Sequence, residues 1–290
     1  MGRWVIALVA LAAALAAPAS LAQVVLAPSV FHSHDLPTNT ITTFTVTCPA
    51  GHIAASAGIS SPAPGVTLLS VRPAGIRAYT FRFGNPVTNP DQQVTVVVAC
   101  LKIKYQIKKP PLALKVKPVQ TMVNLSPGKL TAADFLCPPR MAPAGTGSDL
   151  APSPGGQGYV PGSAARISIR KAAMHLHGFS FAVRNNGRKV QTIVLYGNCV
   201  TVVRSAGARV ERLGIRITTF RSLAEPGNQR ITHSCPKGWF ALAAGYSLGS
   251  PLHTVGGAAA IGAGGRWWVA SDAEVPALVD LQLVCGLLHR

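Results

Sequence analysis

Apolar and polar side chains alternate along short stretches of this chain, and the alternation predicts strands. In residues 41–48, one face carries Phe44, Val46 and Cys48, and threonines occupy the opposite face. The same alternation runs from Val94 to Cys100. A period of two residues, with Gly and Pro between the runs, is typical of half-buried antiparallel strands. No segment of the mature chain shows a capped apolar stripe with helical spacing, so we expect an all-β fold.

Six cysteines divide the chain into three similar parts, because long and short gaps alternate between Cys48, Cys100, Cys137, Cys199, Cys235 and Cys285. Proline follows the first cysteine of each long-gap pair, and the same distance beyond it stands a glycine: Gly58, Gly147 or Gly245. An aromatic stretch precedes the second cysteine of each pair. These markers agree in order, so we interpret them as one unit of about 90 residues present three times. The predicted units are 23–116, 117–213 and 214–290.

The alternation also predicts how the cysteines pair. Each first cysteine ends an inward-facing run, and each second cysteine lies on the inward face of the closing strand. We therefore expect one disulfide in each unit: Cys48–Cys100, Cys137–Cys199 and Cys235–Cys285. A bridge that closes a loop of fifty or more residues contributes about 3–4 kcal/mol in the chain-entropy model. A thiolate metal centre is a weaker alternative, because the sequence has no Cys-x-x-Cys pair.

Two architectures are compatible with three such units. Each unit could form its own two-sheet β-sandwich, with three sandwiches in tandem, or three sheets could close a single pseudo-threefold β-prism. The Cys-Pro-x-Gly start and the closing cysteine strand resemble a motif repeated in secreted bacterial surface proteins. The Cys-Pro-x-Gly element is also similar to that of vitelline membrane outer-layer protein, a threefold β-prism. Pro139-Arg140 departs from this pattern in the second unit, and the resemblance bears on architecture only.

Residues 1–22 have the features of a secretory signal peptide. Arg3 gives a positive start, and Trp4 to Ala17 form an apolar run shorter than the ~20 residues of a membrane span. Pro18 and the small residues of Ser20-Leu21-Ala22 then predict cleavage before Gln23. We expect an exported protein, periplasmic or extracellular at the cell surface, with no transmembrane segment in the mature chain. Export favours disulfides for an even number of cysteines.

The composition adds a strong positive charge to this picture. The chain has 27 Lys+Arg and 9 Asp+Glu, a formal net charge of +18, and is 48% hydrophobic. This apolar content argues against a disordered chain. Six of the lysines cluster in one stretch, namely Lys102, Lys104, Lys108, Lys109, Lys115 and Lys117. Pro110-Pro111 predicts a bend that places the two lysine arms side by side.

Such a basic surface attracts polyanions through long-range, salt-sensitive forces. The partners we expect for an exported protein are an anionic polysaccharide, lipopolysaccharide or another cell-surface component, or a protein partner. The alternative is an edge strand that its lysines protect from aggregation. Trp267 and Trp268 could stack on sugars, although a regular strand would turn one of them inward.

Two His-x-His pairs suggest a metal site as the alternative function. His175-Leu176-His177-Gly178 resembles the His-Leu-His-Gly signature of multicopper oxidases, and His32 and His34 form a second pair. Within a strand, both imidazoles of such a pair face the same side, an arrangement that suits Cu or Zn. Oxidase copper centres need further histidine motifs and a cysteine flanked by histidines, and the sequence has neither.

Other catalytic patterns are weak. Gly245-Tyr246-Ser247-Leu248-Gly249 matches the Gly-x-Ser-x-Gly elbow, which requires a strand–turn–helix context, but here it belongs to a predicted strand. Asp272 and Glu274 lie in a predicted loop. We therefore expect a non-enzymatic structural or adhesive protein without a cofactor. A periplasmic Cu- or Zn-binding protein that uses the His-x-His pairs is the alternative.

Overall fold

The structure is a computed structural model that describes residues 23–26, 29–61, 65–104, 112–150, 167–204, 210–211, 213–248, 253–271 and 276–288. The predicted signal peptide lies outside these residues. All regular elements in the described ranges are β-strands, and the pairs that form the sheets are antiparallel. The protein is therefore an all-β protein, as the alternation predicts.

The strands follow one another in three parts of the chain. The first part contains Gln23–Leu26 (β1), Val30–Leu36 (β2), Thr40–Thr47 (β3), Ile53–Ser61 (β4), Thr67–Pro73 (β5), Ala78–Asn85 (β6) and Gln92–Lys104 (β7). The middle part contains Leu112–Leu125 (β8), Leu130–Leu136 (β9), Ala142–Leu150 (β10), Ile167–His175 (β11), Gly178–Asn185 (β12) and Gln191–Arg204 (β13). The last part contains Val210–Glu211 (β14), Leu213–Ala224 (β15), Gly227–Ser234 (β16), Phe240–Leu248 (β17), His253–Ile261 (β18), Gly264–Ser271 (β19) and Ala277–Leu288 (β20).

Hydrogen bonds join these strands into four sheets of four, seven, six and three strands. The same pairing occurs in three groups of consecutive strands: the first group is β2–β7, the second β8–β13 and the third β15–β20. In each group, the first and third strands pair with the sixth, and the second and fourth strands pair with the fifth. The fourth and fifth strands of each group form a hairpin, whereas the other pairings join strands that are distant in sequence.

Two of the predicted unit limits fall within strands of the structure. The boundary between residues 116 and 117 falls inside β8, which pairs with β13 along its whole length. The boundary between residues 213 and 214 separates the first residue of β15 from the rest of that strand.

Three disulfides join the residue that follows the second strand of each group to the sixth strand. They are Cys48–Cys100, Cys137–Cys199 and Cys235–Cys285, with Cα–Cα distances of 5.7, 5.6 and 5.8 Å. These are the same pairs that the cysteine spacing predicts. Because the second and sixth strands belong to different sheets, each bridge holds two sheets of one group together.

The proline after each first cysteine begins a tight turn. The backbone N–H of the third residue after that proline donates to the proline carbonyl, as in His52 to Pro49 at 3.1 Å. The residue before the donor has a positive φ: 75° at Gly51, 66° at Arg140 and 85° at Gly238. Glycine adopts this conformation without a Cβ clash, whereas arginine pays a steric cost. The departure of Arg140 from the Cys-Pro-x-Gly pattern therefore leaves a strained turn.

The three glycines beyond the cysteines lie where strands of different groups meet. We call these places junctions: β10 lies beside β5, β17 beside β11, and β4 beside β18. A Cβ on Gly147 would overlap the carbonyl oxygen of Val71, and one on Gly58 would overlap that of Ala258. A Cβ on Gly245 would lie 2.6 Å from the carbonyl oxygen of Ala172. The glycines therefore allow the backbones to approach more closely than any side chain would permit.

The buried side chains form three clusters that largely follow the three groups. The first group packs Tyr79, Phe81 and Phe83, the second packs Phe179 among aliphatic residues, and the third packs Trp267. Some members cross between groups. The cluster around Trp267 includes Ala99 of β7, and the cluster around Phe179 includes residues of β4 and β17.

A buried polar contact joins the first and second groups. The Asn198 side-chain amide donates to the Tyr79 hydroxyl at 2.6 Å and to the Ala54 carbonyl at 3.3 Å, and the Tyr79 hydroxyl donates to the Ala55 carbonyl at 3.2 Å. Burial raises the pKa of Tyr79 far above its ordinary value because the phenolate would lose its hydration. The hydroxyl therefore stays protonated and continues to donate.

We predict that Gly147→Ala destabilises the protein by at least about 1–3 kcal/mol, because the new methyl group must displace the Val71 carbonyl. Gly262→Ala is the matched control: Gly262 has a φ of 59° but nothing lies within 4 Å of its would-be Cβ. The control should lose only about 1 kcal/mol, from backbone strain. Thermal unfolding of the oxidised proteins measures both changes. Equal losses in the two variants would show that the junction does not need a glycine.

We predict the opposite sign for Arg140→Gly. Removing the Cβ relieves the strain at a φ of 66°, and the net gain should be about 0.5–1 kcal/mol after the greater flexibility of glycine in the unfolded chain is subtracted. The unfolding midpoint should therefore rise, whereas Gly238→Ala, at the corresponding turn, should lower it. A lower midpoint for Arg140→Gly would mean that the arginine side chain makes a stabilising contact.

Candidate functional site

The lysine stretch is exposed wherever its side chains are described. Lys102 lies on β7, and Lys115 and Lys117 lie on β8, with their side chains in solvent. None of these three forms an ion pair with a carboxylate within the described parts of the chain. Lys104 ends β7, and Lys108 and Lys109 lie outside the described residues. The described ammonium groups are thus uncompensated positive charges.

The two lysine arms do not hydrogen-bond to each other. β7 hydrogen-bonds to β1, β2 and β4, whereas β8 hydrogen-bonds to β13. The arms therefore belong to different sheets. The physical reason is that each arm has a long antiparallel partner, and those pairings bury more backbone than a short hairpin would.

A second basic region lies at the junction of β4 and β18 and includes Trp268. The Trp268 indole N–H donates to the Ser60 carbonyl on β4. The guanidinium carbon of Arg230 lies 5.9 Å from the centre of the Trp268 ring, and Arg266 donates to the Ser60 hydroxyl at 3.5 Å. We call Trp268, Arg230 and Arg266 the Trp268 patch. Arginine near an indole face is a favourable cation–π arrangement.

The sequence pattern correctly separates the two neighbouring tryptophans. Trp267 is 0% exposed and its indole N–H donates to the Gly245 carbonyl at 2.8 Å, whereas Trp268 is partly exposed. The contributions of Arg230 and Arg266 were missed. Strand pairing brings them beside Trp268, and no local sequence signal could reveal that contact.

Another junction shows the same geometry with different side chains. Arg82 on β6 lies 3.0 Å from the Asp149 carboxylate on β10, and Arg72 lies 3.8 Å from it. Here a carboxylate offsets the basic charge across the junction. The Trp268 patch has no such carboxylate among the residues that the structure describes.

His175 and His177 do not occupy one face of a strand, which corrects the premise of the metal prediction for this pair. β11 ends at His175, and Leu176 and His177 form the turn to β12, with His175 paired to Gly178. The His177 carbonyl accepts the Cys137 backbone N–H at 2.8 Å. The corresponding hairpin turns of the other groups provide carbonyls of Arg77 and Ala263 to Cys48 and Cys235. The turn at Leu176 and His177 thus provides a backbone carbonyl that accepts a hydrogen bond from the first cysteine of the disulfide.

His32 and His34 do lie on one face of β2. Their ring centroids are 5.8 Å apart, and the ring of His34 stacks on Phe44 at 4.3 Å. Across the described residues, no group of three or more His, Cys, Asp or Glu side chains is placed to hold a metal ion. Zinc sites use three or four protein ligands, so this pair is at most part of one.

Ser247 lies within an antiparallel sheet rather than at an elbow. It pairs with Lys171 on β11 and with Asp280 on β20. An elbow needs a following helix, and the described residues contain none. Gly249, Asp272 and Glu274 lie outside the described residues.

No protein-family model matches the chain, and no curated protein matches its sequence. Among the described residues, no helix has the length and apolar character of a bilayer span.

His233 is a histidine that the sequence patterns did not single out. Its ring stacks on Phe220 with centroids 3.9 Å apart and meets the Trp267 ring edge-on at 6.0 Å. Its buried Nε2 has no hydrogen-bond partner in the described structure. Desolvation by burial lowers the pKa of His233 because the imidazolium form would lose hydration.

We predict that His233 makes folding stability fall in mild acid. The unfolded chain takes up a proton below about pH 6.5, while the folded protein resists protonation until a lower pH. Stability is therefore lost as the pH falls from about 6.5 toward the lowered folded pKa. His233→Phe should retain the ring stack and flatten this part of the stability–pH curve. Curves that differ only by a constant offset would show that His233 does not couple to folding.

Proposed function

We propose that this chain is an exported, non-enzymatic binding protein whose basic outer surface holds an anionic polymer of the cell envelope. The observation that carries the proposal is the set of exposed, unpaired lysines Lys102, Lys115 and Lys117 on a chain of net charge +18. Long-range attraction to polyanions follows from such a charge distribution. An anionic polysaccharide or lipopolysaccharide fits this surface best.

We infer that the scaffold consists of three homologous units about a pseudo-threefold axis. The recurrent strand pairing supports this inference, and so do the three junction glycines, which contact the group that precedes them in a cyclic order. The six strands β8-β13-β10-β5-β6-β3 follow one another in one sheet and come from two groups. Such sharing favours a closed prism over three independent sandwiches in tandem, because neither half-sheet would be complete alone.

Buried asparagines at matching positions add support for homologous units. Asn85 donates to the carbonyls of Leu36 and Pro90 at 2.9 and 3.0 Å. Asn185 donates to the carbonyls of Leu125 and Lys189 at 2.9 and 2.8 Å. Both side chains tie the end of a fifth strand to the end of a first strand. A shared contact of this kind is expected when units descend from one ancestor.

Export is supported by the apolar N-terminal segment and by the disulfides. Disulfides persist in oxidising compartments and are rare in reducing ones, and the chain has no free cysteine. A disulfide-bonded all-β protein with exposed lysines is suited to a structural or adhesive role at the cell surface.

A metal-binding role is the second candidate, and the shared face of His32 and His34 is the observation that favours it. Two neutral imidazoles could bind Cu or Zn weakly. This candidate has less support than the basic surface because neither His-x-His pair is accompanied by further ligands among the described residues.

We predict that replacing Lys102, Lys115 and Lys117 together by Gln lowers the salt concentration that elutes the protein from heparin. Lys129, Lys189 and Lys237, which are also exposed, replaced together by Gln form the matched control with the same loss of charge. The first variant should elute at clearly lower salt than the control, and the slope of retention against salt should fall by about one for each lost contact.

Two outcomes of this experiment would contradict different parts of the proposal. Equal elution of the two variants would show that net charge acts without a localised surface. Retention of the unsubstituted protein that half-molar salt leaves unchanged would overturn the electrostatic basis of the proposal.

A further inference from the structure

A cavity of about 100 Å³ lies where the three groups meet, and it is partly open to solvent. Its walls come from the third and fourth strands of every group, namely β4 and β5, β10 and β11, and β17 and β18, and from the fifth strands β6 and β12. The junction glycines Gly58 and Gly147 are part of the wall. No single group could form this cavity, because each contributes only part of the lining.

The cavity exists because the residues nearest the proposed axis are small. The position before each junction glycine is Ala57, Thr146 or Ala244, and all three line the cavity. The glycines draw the strand backbones together in pairs, but side chains of this size cannot fill the space left between the three pairs. Protein interiors are usually closely packed, so a space of this size where the three groups meet is a candidate binding site for a small molecule.

The lining is mainly apolar and contains two aromatic rings. Phe81 and Phe181 are fully buried and face the cavity together with Ile59, Leu68 and Val71. Among the lining residues that the structure describes, none is a lysine, arginine, aspartate, glutamate or histidine. The hydroxyl-bearing residues there are Thr146, Ser148 and Tyr246. Burial raises the pKa of Tyr246, so its phenol stays neutral, and it donates to the Ile169 carbonyl at 3.4 Å.

We propose that this cavity is a binding site for a small uncharged aromatic molecule with a single six-membered ring. An apolar cavity of roughly 150 Å³ in another protein binds benzene, so a cavity of about 100 Å³ is of the size that a single ring requires. Phe81 and Phe181 offer ring contacts of the edge-to-face or offset kind. A charged ligand is excluded, because it would lose its hydration without an opposite charge in the wall.

The site is independent of the proposed polyanion surface. Its lining shares no residue with the lysine surface or with the Trp268 patch. A ligand in the cavity would contact all three groups at once, and would therefore favour the assembled state over any state in which the groups separate.

Thermal unfolding in the presence of benzene or phenol tests the site. Either ligand near saturation should raise the unfolding midpoint by about 3 °C, and benzoate, which carries a charge, should not. Ala57→Val and Ala244→Val, made separately, should each reduce the shift because the added methyl groups occupy the cavity. Ala132→Val, on the exposed face of β9, is the matched control and should keep the full shift.

Several results would overturn the proposal. They are no shift with benzene or phenol, a shift that both cavity variants retain in full, or an equal shift with benzoate. An equal shift with cyclohexane would overturn the preference for an aromatic ring. If one cavity variant fails to fold, the other carries the comparison. Heparin retention is measured separately and does not depend on any of these outcomes.

Discussion

The close approach of strand backbones at the junctions is the constraint on which the rest of the structure depends. At Gly58, Gly147 and Gly245, a carbonyl oxygen of another group occupies the space that a Cβ would need. Backbone hydrogen bonds then continue the sheets from β10 to β5 and from β17 to β11. Because the contact involves backbone atoms, it fixes the groups relative to one another without requiring particular side chains nearby.

Much of the fold could be predicted from local patterns, because its main determinants recur at fixed spacing. Alternation predicts strands, and the cysteine positions predict the pairs that the structure contains, since Cys48 and Cys100 both fall on inward faces. The role of the junction glycines could not be predicted, although their recurrence was visible. Gly58 needs its small size because of Ala258, which belongs to the third group and is separated from Gly58 in sequence by the whole of the second group. A residue pattern carries no information about such a partner.

The candidate sites also contain features that alternation within one strand predicts and features that depend on pairing between distant strands. The exposure of Lys115 and Lys117 follows from alternation within one strand, and the sequence predicts it. The position of their arm relative to Lys102 depends on which strands pair, and local alternation carries no information about that. The His175–His177 pair shows a related effect: two residues at a hairpin turn have the spacing of a strand face without its geometry. The face that His32 and His34 share is real because β2 continues through both residues.

The junctions are contacts between strand backbones, so the side chains beside them are free to differ from one junction to another. Groups with the same strand pairing can therefore carry different charges at their surfaces. At one junction, the Asp149 carboxylate forms ion pairs with Arg82 and Arg72, so it offsets part of the basic charge there. At the corresponding junction, Ser60 stands where a carboxylate would be needed, and Trp268 covers the backbone beside Arg230 and Arg266. Among the described residues, one junction therefore pairs its arginines with a carboxylate, whereas the other places two arginines beside a partly exposed indole. The same backbone geometry thus supports two different local arrangements of charge, because the side chains at the outer positions do not take part in the backbone contact.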